Sequence, residues 1–247
     1  MLNSSLRFRL KAFAYHLGAS VLIALISLYV VFMVWHPAPL AKVVGVTHIF
    51  IMMLGIDVVL GPLLTLIIAK KDKKSLKFDL AIIVVLQLMA FIYGIYNIAI
   101  SRPVYIAFDT IRFEVVQANN IPVESLEQAS APYNTLGWGQ PKFVAVKPIE
   151  SIEQKNNRLF VELETGVAPS MQPNLYELID NQWSVLSEQA KPLAQLKQNN
   201  KASEVEDIVA NYAEADSWLP LKGYDLDAVV LLNKNEKRIV EVVDLRP

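Results

Sequence analysis

The stretch GIDVVLGPLLTL, residues 55–66, places a single acidic residue, Asp57, inside a long apolar run. A carboxylate at the centre of a lipid bilayer costs about 2.5–3.5 kcal/mol on insertion scales. A membrane protein that keeps such a residue has to compensate its charge, either with its own groups or with those of a partner. The run therefore predicts a membrane helix that carries either a functional site or a polar packing contact.

Three apolar segments of the first half are each long enough to cross a bilayer, which needs about 20 residues in a helix. A cleavable signal peptide has a similar basic start, but its apolar region is only about 7–15 residues long. Pro37 and Pro39 after the first segment also make a poor cleavage context. We therefore predict a retained anchor and two further spans. The predicted spans cover residues 12–35, 43–69 and 80–100.

The loops between these segments differ in charge, and the difference predicts their orientation. Residues 70–77, after the second segment, read KKDKKSLK, whereas residues 36–42 contain one lysine. Short loops rich in lysine and arginine stay in the cytoplasm. We therefore expect the N-terminus and residues 70–77 in the cytoplasm, and everything after Ser101 in the periplasm of a Gram-negative cell. The predicted location is the bacterial inner membrane.

The two halves of the chain also differ in net charge. Residues 1–101 contain nine Lys/Arg and three Asp/Glu, whereas residues 102–247 contain fourteen Lys/Arg and twenty-one Asp/Glu. The basic residues of the first half flank apolar segments, which indicates a lipid bilayer as one partner. The acidic second half lacks the basic stripe of a nucleic-acid-binding surface, so we expect no nucleic-acid partner.

Residue usage narrows the chemistry of the second half. The chain has no cysteine, and its histidines, His16, His36 and His48, all lie in the first half. The second half therefore cannot build a Ser-His-Asp triad, a Cys-His pair or a common zinc site. Paired carboxylates remain possible in an acidic domain, but a solvated acidic surface is the simpler interpretation. We predict no catalytic residues, no metal and no cofactor.

The second half is long enough for one compact domain, and its pattern predicts an α+β fold with antiparallel strands. Strands are expected at 104–108 and 112–117 as a hairpin, at 142–147, and at 227–233 and 238–245 as a terminal hairpin. Helical spacing occurs at 149–163, 182–198 and 203–213. Pro192 is expected to interrupt the second of these helices, and Ser203 with Glu206 forms a capping-box pattern in the third. The predicted architecture is a three-helix transmembrane domain, residues 1–101, followed by a periplasmic α+β domain, residues 102–247.

The loop TLGWGQP, residues 135–141, presents Trp138 between two glycines, which allow unusual backbone angles beside a large ring. The ring either plugs into the core of the domain or forms a contact surface for a partner. We favour the core, because aromatic rings bury so much apolar area. Trp138 stays a candidate partner-binding residue of the periplasmic domain.

A candidate site surrounds Asp57 in the second span. Gln87 lies at a comparable depth in the third span, and a hydrogen bond between the two residues is the simplest way to satisfy the acid. Pro62 removes one helical hydrogen bond and frees the carbonyl of Val58, while Gly61 adds room beside it. These five residues predict a polar notch that could bind a partner. Three interpretations stay open: a cationic partner helix, internal packing, and proton transfer, for which the sequence shows no continuing chain of ionisable groups.

Several stretches carry a family resemblance over nearly the whole chain. They are GIDVVLGPLLT at 55–65, KSLKFDL at 74–80 continuing to SRPVY at 101–105 and RFEVV at 112–116, GWG at 137–139 and DLRP at 244–247. Together they resemble the TfpX/TfpZ family of type IV pilin accessory proteins, which is related to FimB-type proteins.

The resemblance implies an inner-membrane accessory protein, or chaperone, that serves a type IV pilin and assists pilus biogenesis, and it does not imply an enzyme. The implied partners are the pilin subunit and other inner-membrane proteins of pilus assembly. Type IV pilins have an N-terminal helix that waits in the inner membrane, is almost wholly apolar and begins with a positively charged amine. Such a helix suits a membrane notch with a buried acid, and the α+β domain is expected to touch the pilin head.

Two other functions stay open. A membrane-anchored sensor or regulator would bind a small ligand in a well-formed pocket of its periplasmic domain, whereas an accessory protein would expose a broad apolar surface. A membrane enzyme that modifies pilin would need clustered acids that face a cleft.

Overall fold

Three long helices form from the three apolar segments of the first half. In the computed structural model, which describes residues 4–71 and 73–247, α1 spans Ser4–Tyr29 and continues as a π-helical segment, Val30–Trp35, while α3 spans Val46–Ile68 and α4 spans Leu76–Ile100. Within these described ranges they are the three helices that are long and apolar enough to cross a membrane. The three predicted spans are therefore confirmed as apolar helices of suitable length.

The chain divides into two units, and the division does not follow the order of the sequence. The first unit consists of the residues up to Met33 together with Val46–Ala99. The second unit consists of Val34–Gly45 and Ile100–Pro247. The segment between the first two long helices, which contains the short helix α2, Leu40–Val43, therefore folds with the C-terminal half of the chain.

In the first unit, α1 and α3 pack against each other along their length, whereas few backbone atoms of α4 approach either of them. The buried face of α3 repeats every three or four residues and includes Phe50, Leu54, Asp57, Gly61 and Thr65. The facing stripe of α1 consists of small residues, Ser20, Ala24 and Ser27. Small residues allow two membrane helices to approach closely, so the α1–α3 pair is tight while α4 leaves room beside it.

The second unit contains a mixed β-sheet, whose strands within the described residues are β1 Pro103–Asp109, β2 Arg112–Gln117, β3 Lys142–Val146, β4 Tyr176–Glu177, β5 Lys191–Pro192, β6 Ser217–Lys222, β7 Ala228–Asn233 and β8 Arg238–Val243. Their order in the sheet is β4-β3-β1-β2-β6-β7-β8, and β5 pairs with β6. The two predicted hairpins are confirmed, as is the third strand.

The prediction of an α+β domain with antiparallel strands is confirmed only in part, because the sheet also contains two parallel pairs. β1 pairs with β3 in parallel, and β2 pairs with β6 in parallel. A parallel pair needs a long crossover connection. The chain supplies one in each case, because the residues between β1 and β3, and those between β2 and β6, bring the chain back to the end of the sheet where the first strand of the pair began. The sheet is therefore mixed, although its hairpins are antiparallel.

Besides α2, the α-helices of the second unit are α5 Val123–Glu127, α6 Ile152–Thr165, α7 Trp183–Gln189 and α8 Ala202–Asn211. Pro192 interrupts the predicted helix 182–198, as expected, because α7 ends at Gln189 and Lys191–Pro192 pairs as β5. The predicted capping box is wrong. Lys201 occupies the N-cap position of α8 without a side-chain capping bond, and the Glu206 carboxylate instead accepts a hydrogen bond from Lys197 at 2.5 Å.

Both faces of the sheet bury apolar side chains. One face packs Phe113, Leu219 and Leu232 against Leu186 of α7 and Val43 of α2. The opposite face packs other strand residues, led by Trp218 and Leu231, against α8. The backbone carbonyl of Val43 also accepts N–H donors from three consecutive residues, Tyr224, Asp225 and Leu226, at 2.9–3.3 Å. The segment 34–45 is thus built into the core of the second unit.

Candidate functional site

Asp57 lies on the buried face of α3, and its side chain is only 9% exposed. Its Oδ2 atom is buried and has no hydrogen-bond partner among the residues that the structure describes. Within those same residues, Asp57 forms no ion pair. Because a buried polar atom without a partner keeps its full desolvation cost, this carboxylate is the most conspicuous unsatisfied group of the first unit.

Gln87 of α4 reaches across to this region but does not satisfy the carboxylate. Its Nε2 atom donates a hydrogen bond to the backbone carbonyl of Asp57 at 2.5 Å. The predicted contact between the two residues therefore exists, but it involves the backbone of Asp57 and leaves Oδ2 unpaired. Internal packing therefore leaves this carboxylate oxygen without a partner among the described residues.

His16 of α1 completes a polar network that joins all three helices. Its Nε2 atom lies 3.0 Å from Gln87 Oε1, and its Nδ1 atom lies 2.6 Å from Thr65 Oγ1. Because Gln87 Oε1 can only accept, His16 Nε2 must carry the proton in this bond. The Thr65 hydroxyl can complete the bond to Nδ1 as donor or as acceptor, so His16, Gln87 and Thr65 satisfy one another without using the Asp57 carboxylate.

Gly61 makes the approach of Gln87 possible. A Cβ atom at this position would overlap the Gln87 side-chain amide, so a larger residue would displace the amide from both of its hydrogen bonds. Pro62 is buried within α3, and the helix continues beyond it to Ile68. Val58 is only partly buried. The predicted notch residues thus fall into two groups: Asp57, Gly61 and Gln87 meet, whereas Val58 and Pro62 shape the helix beside them.

A cavity of about 450 Å³ lies between the three helices. It is mostly apolar, and its polar lining comes from His16, Ser20, Asp57, Thr65 and Gln87. It is partly open, because α4 approaches the other helices mainly through its side chains. A volume of this size accommodates a few side chains or one end of a helix, since ligand pockets of about 300–1,000 Å³ hold small molecules.

The basic residue Arg9 of the same helix bundle is already engaged elsewhere. Its Nε atom donates to the carbonyl of Leu66 at 3.0 Å, and its Nη2 atom donates to the carbonyl of Ile67 at 2.6 Å. These carbonyls belong to the last turn of α3, where helix carbonyls lack internal partners and favour a cation. Arg9 therefore stabilises the end of α3 and does not pair with Asp57.

Sequence reasoning missed His16, Ser20 and Thr65 as parts of this site. The available signal was the confinement of every histidine to the apolar half of the chain. That signal could identify His16 as a candidate. Which polar residues meet, however, depends on how the three helices are positioned along the membrane normal.

Trp138 does not plug into the core, so the favoured prediction for this residue is wrong. Its side chain is 64% exposed. The guanidinium carbon of Arg102 lies 4.0 Å from the centroid of the Trp138 ring, and the Trp35 ring centroid lies 6.2 Å away. Cation–π and ring contacts of this kind hold an aromatic side chain in place without burying it.

The helix α6 carries a second exposed apolar surface, which we call the α6 stripe. It consists of Ile152, Leu159, Phe160 and Leu163, which are 50–80% exposed. Their spacing places them on one side of the helix. The Ser151 side chain caps the first turn by accepting from the backbone N–H of Gln154, and Gly166 ends the helix in a left-handed conformation. Its caps, rather than core packing, define this helix, because none of its residues is buried.

Shifted pKa values in the second unit have structural causes. Burial raises the pKa of the Asp109 carboxyl, and the hydrogen bond from Thr110 lowers it by a smaller effect. Burial also raises the pKa of the Tyr176 hydroxyl, which donates to the backbone carbonyl of Ser170. Among the described residues, no group of three or more His, Cys, Asp or Glu side chains could hold a metal ion.

Comparison with known proteins yields one consistent description. Residues 4–45 match the family described as fimbrial assembly protein FimB. The fimbrial assembly protein of Dichelobacter nodosus serogroup I is 30% identical over 237 residues, which cover 92% of each chain. The serogroup E1 protein is 29% identical over 238 residues with the same coverage, and the protein of serogroups C1 and C2 is 36% identical over 124 residues, 49% of this chain and 95% of that relative. No solved structure matches this chain.

Proposed function

Because the chain belongs to the FimB family of fimbrial assembly proteins, we propose that it is an inner-membrane accessory protein that binds a type IV pilin subunit and assists pilus biogenesis. Family membership supports the role in fimbrial assembly. The unpaired Asp57 carboxylate in the three-helix cavity carries the proposal of pilin binding.

The chemistry of the cavity fits the first turn of an apolar helix that begins with an amine. The Asp57 carboxylate attracts the cation, and the low-dielectric surroundings strengthen that attraction. The apolar lining receives the neighbouring side chains, and the volume of about 450 Å³ accommodates one helix end rather than a whole span. The remaining helix would lie along the gap beside α4. This arrangement makes the protein a holding chaperone for a subunit that waits in the bilayer.

The α6 stripe is the surface that we assign to the pilin head. It combines exposed apolar side chains with Glu153 and Glu164, which lie seven residues before and four residues after Phe160 on the same side of the helix. Exposed apolar patches with polar borders are typical of protein–protein contacts. This surface favours an accessory protein over a small-ligand sensor, because the hollow of about 240 Å³ beside α6 is open and partly polar.

The proposed orientation places the N-terminus and residues 70–77 in the cytoplasm and the second unit in the periplasm. The lysine-rich loop supports it. The fold of Val34–Gly45 together with Ile100–Pro247 supports the three-span topology, since three spans place both segments on the same side of the membrane, and the lysine-rich loop alone indicates which side that is. We propose that the protein acts by binding and is not an enzyme.

Site-specific photocrosslinking in pilus-forming cells tests the proposal. A crosslinking residue at Val84, which lines the cavity, should capture the pilin, whereas one at Leu86, which is exposed on the same helix, should not. Asp57→Asn should reduce the capture several-fold, because it removes the charge and keeps the shape. Asp57→Glu should retain most of it.

The outcome that removes Asp57 from the mechanism is equal pilin capture and an unchanged pilus number in a normally expressed Asp57→Asn variant. Capture from Leu86 but not from Val84 would place the pilin outside the cavity. An altered pilin mass in cells that lack the protein would instead indicate an enzyme.

A further inference from the structure

Trp138 combines two properties that rarely occur together on a water-exposed surface: its ring is exposed, and it is held firmly. Arg102 holds the loop in place, because its Nε and Nη2 atoms donate hydrogen bonds to the Gly137 carbonyl at 3.1 and 2.7 Å. Its guanidinium group lies against the ring and is itself buried, at 4% exposure. The Trp35 ring packs beside it, with a centroid distance of 6.2 Å. The loop thus presents a large amphipathic ring in a fixed position.

The chain connectivity indicates what this ring meets. Trp35 is the last residue of the π-helical segment that continues α1, and Arg102 follows the end of α4 by two residues. Two residues span at most about 7 Å of extended chain. The apolar part of α4, residues 80–100, is about 30 Å long and matches the hydrocarbon core of a bilayer. Both partners of Trp138 are therefore tied to the points where spans leave the hydrocarbon.

We propose that Trp138, supported by Arg102 and Trp35, anchors the loop 134–140 in the headgroup layer of the membrane. Tryptophan is enriched at this depth because its ring is apolar and its indole N–H is polar. The occupant of this surface is the bilayer itself, and the α6 stripe remains available for a protein partner. The inference requires only that the three helices cross a membrane, so it stands apart from pilin binding.

Tryptophan fluorescence of the full chain in lipid vesicles tests this anchor. The protein is reconstituted alone into phosphatidylcholine vesicles, with or without bromine atoms on the acyl chains near the headgroups. Trp138→Phe serves as the reference, since the difference between its emission and that of the unchanged protein isolates the contribution of Trp138. We expect brominated lipid to quench this contribution about twofold, because tryptophan at the interface contacts the upper acyl chains. Iodide in the water should quench it weakly.

A Trp138 contribution that brominated lipid leaves unchanged overturns the proposal, whether or not iodide reaches the ring. Because the vesicles contain no other protein, quenching by the lipid cannot come from a partner. Circular dichroism of Trp138→Phe establishes that the reference is folded. Trp218→Phe is the matched control, because Trp218 is buried in the sheet, and its contribution should respond to neither quencher.

Discussion

The two units differ in what they bury, because the first unit places small and polar residues among its buried apolar side chains, such as Phe50 and Leu54. The buried face of α3 carries Asp57, Gly61 and Thr65 beside the serines of α1, whereas the outward faces of the long helices are apolar. The sheet of the second unit buries Trp218, Leu231 and their neighbours and presents charged side chains to water. In lipid, apolar side chains gain little by leaving the surface, so close approach and interhelical hydrogen bonds decide which helices associate. In water, apolar burial is the dominant favourable contribution to folding.

This difference means that one type of substitution has different consequences in the two units. Truncation of an apolar side chain should be costly where the sheet buries it and nearly neutral where a helix presents it to lipid. Loss of a hydrogen bond should matter most between the membrane helices. Four substitutions, ordered from the largest expected effect to the smallest, test the comparison.

Leu231→Ala should destabilise the second unit by about 2–5 kcal/mol, the usual cost of deleting a buried leucine side chain and leaving a cavity. Leu231 lies in β7 and is fully buried. Protease resistance of the second unit in increasing urea, measured on the full chain in detergent, reports the change. Leu86→Ala on the outward face of α4 is the matched control and should leave the profile unchanged. Equal losses from both substitutions would contradict the distinction between the two units.

Gly223→Ala should destabilise the second unit by about 1–3 kcal/mol, because overpacking against backbone is poorly relieved. A Cβ atom at Gly223 would overlap the Leu226 carbonyl oxygen and lie 2.7 Å from the carbonyl oxygen of Val43. The substitution should therefore release segment 34–45 from the sheet, and a protease should cleave this segment faster. Gly139→Ala is the control, since a Cβ atom there meets nothing within 4 Å. Unchanged cleavage in Gly223→Ala would mean that the segment is held elsewhere.

Gly61→Ala should cost about 0.6 kcal/mol, the average measured for hydrogen bonds between membrane helices, and at most about 1.7 kcal/mol, the largest measured value. The new methyl group displaces the Gln87 amide, which links α4 to α1 and α3. The chain has no cysteine, so spin labels on introduced cysteines at Leu60 and Leu86 report the α3–α4 distance without background. The distance distribution should broaden in Gly61→Ala and stay narrow in Gly55→Ala, where a Cβ atom meets nothing within 4 Å. A narrow distribution in both would show that Gln87 does not hold α4.

These contrasts also explain how much of the fold the sequence could predict. The membrane spans follow from uninterrupted apolar length, and the hairpins follow from short strands joined by a turn, so both were predictable from local pattern. The parallel pairings of β1 with β3 and of β2 with β6 were not, because they depend on long connections that leave no local signal. The prediction of a capping box at Ser203 failed because α8 begins at Ala202. A shift of one or two residues in the start of a helix changes which side chain can cap it.

The site was predictable in part. A lone acid in an apolar run identified Asp57, and similar depth in the next span identified Gln87. His16 escaped prediction because only the packing of the antiparallel helices decides which part of α1 lies beside Thr65 and Gln87. The role of segment 34–45 escaped prediction as well, because Leu40 and Val43 resemble the apolar residues of the adjoining span in composition but pack in the core of the second unit.

The smallest expected effect concerns the ion pair that ties this segment to the end of the chain. The Lys42 ammonium donates to an Asp244 carboxylate oxygen at 2.9 Å, and Arg246 donates to the other oxygen at 2.6 Å. The hydrogen bond from Lys42 is the largest contribution that lowers the pKa of Asp244, and the nearby charges of Lys42 and Arg246 lower it further. A carboxyl group whose pKa is lower in the folded state stabilises that state above its ordinary pKa of about 3.9, and the gain is lost as the pH falls through the folded pKa.

Asp244→Asn should therefore cost no more than about 1 kcal/mol at neutral pH, because partly exposed ion pairs contribute little. The difference in urea midpoint between Asp244→Asn and the unchanged protein should begin to shrink below about pH 4, where the unfolded carboxyl becomes protonated, and should vanish as the pH falls through the lower pKa of the folded carboxyl. It should also shrink in high salt, which screens exposed charges. Asp207→Asn on exposed α8 controls for the loss of one negative charge. A difference that stays constant from pH 7 to pH 3 would mean that Asp244 contributes through its shape and not through its charge.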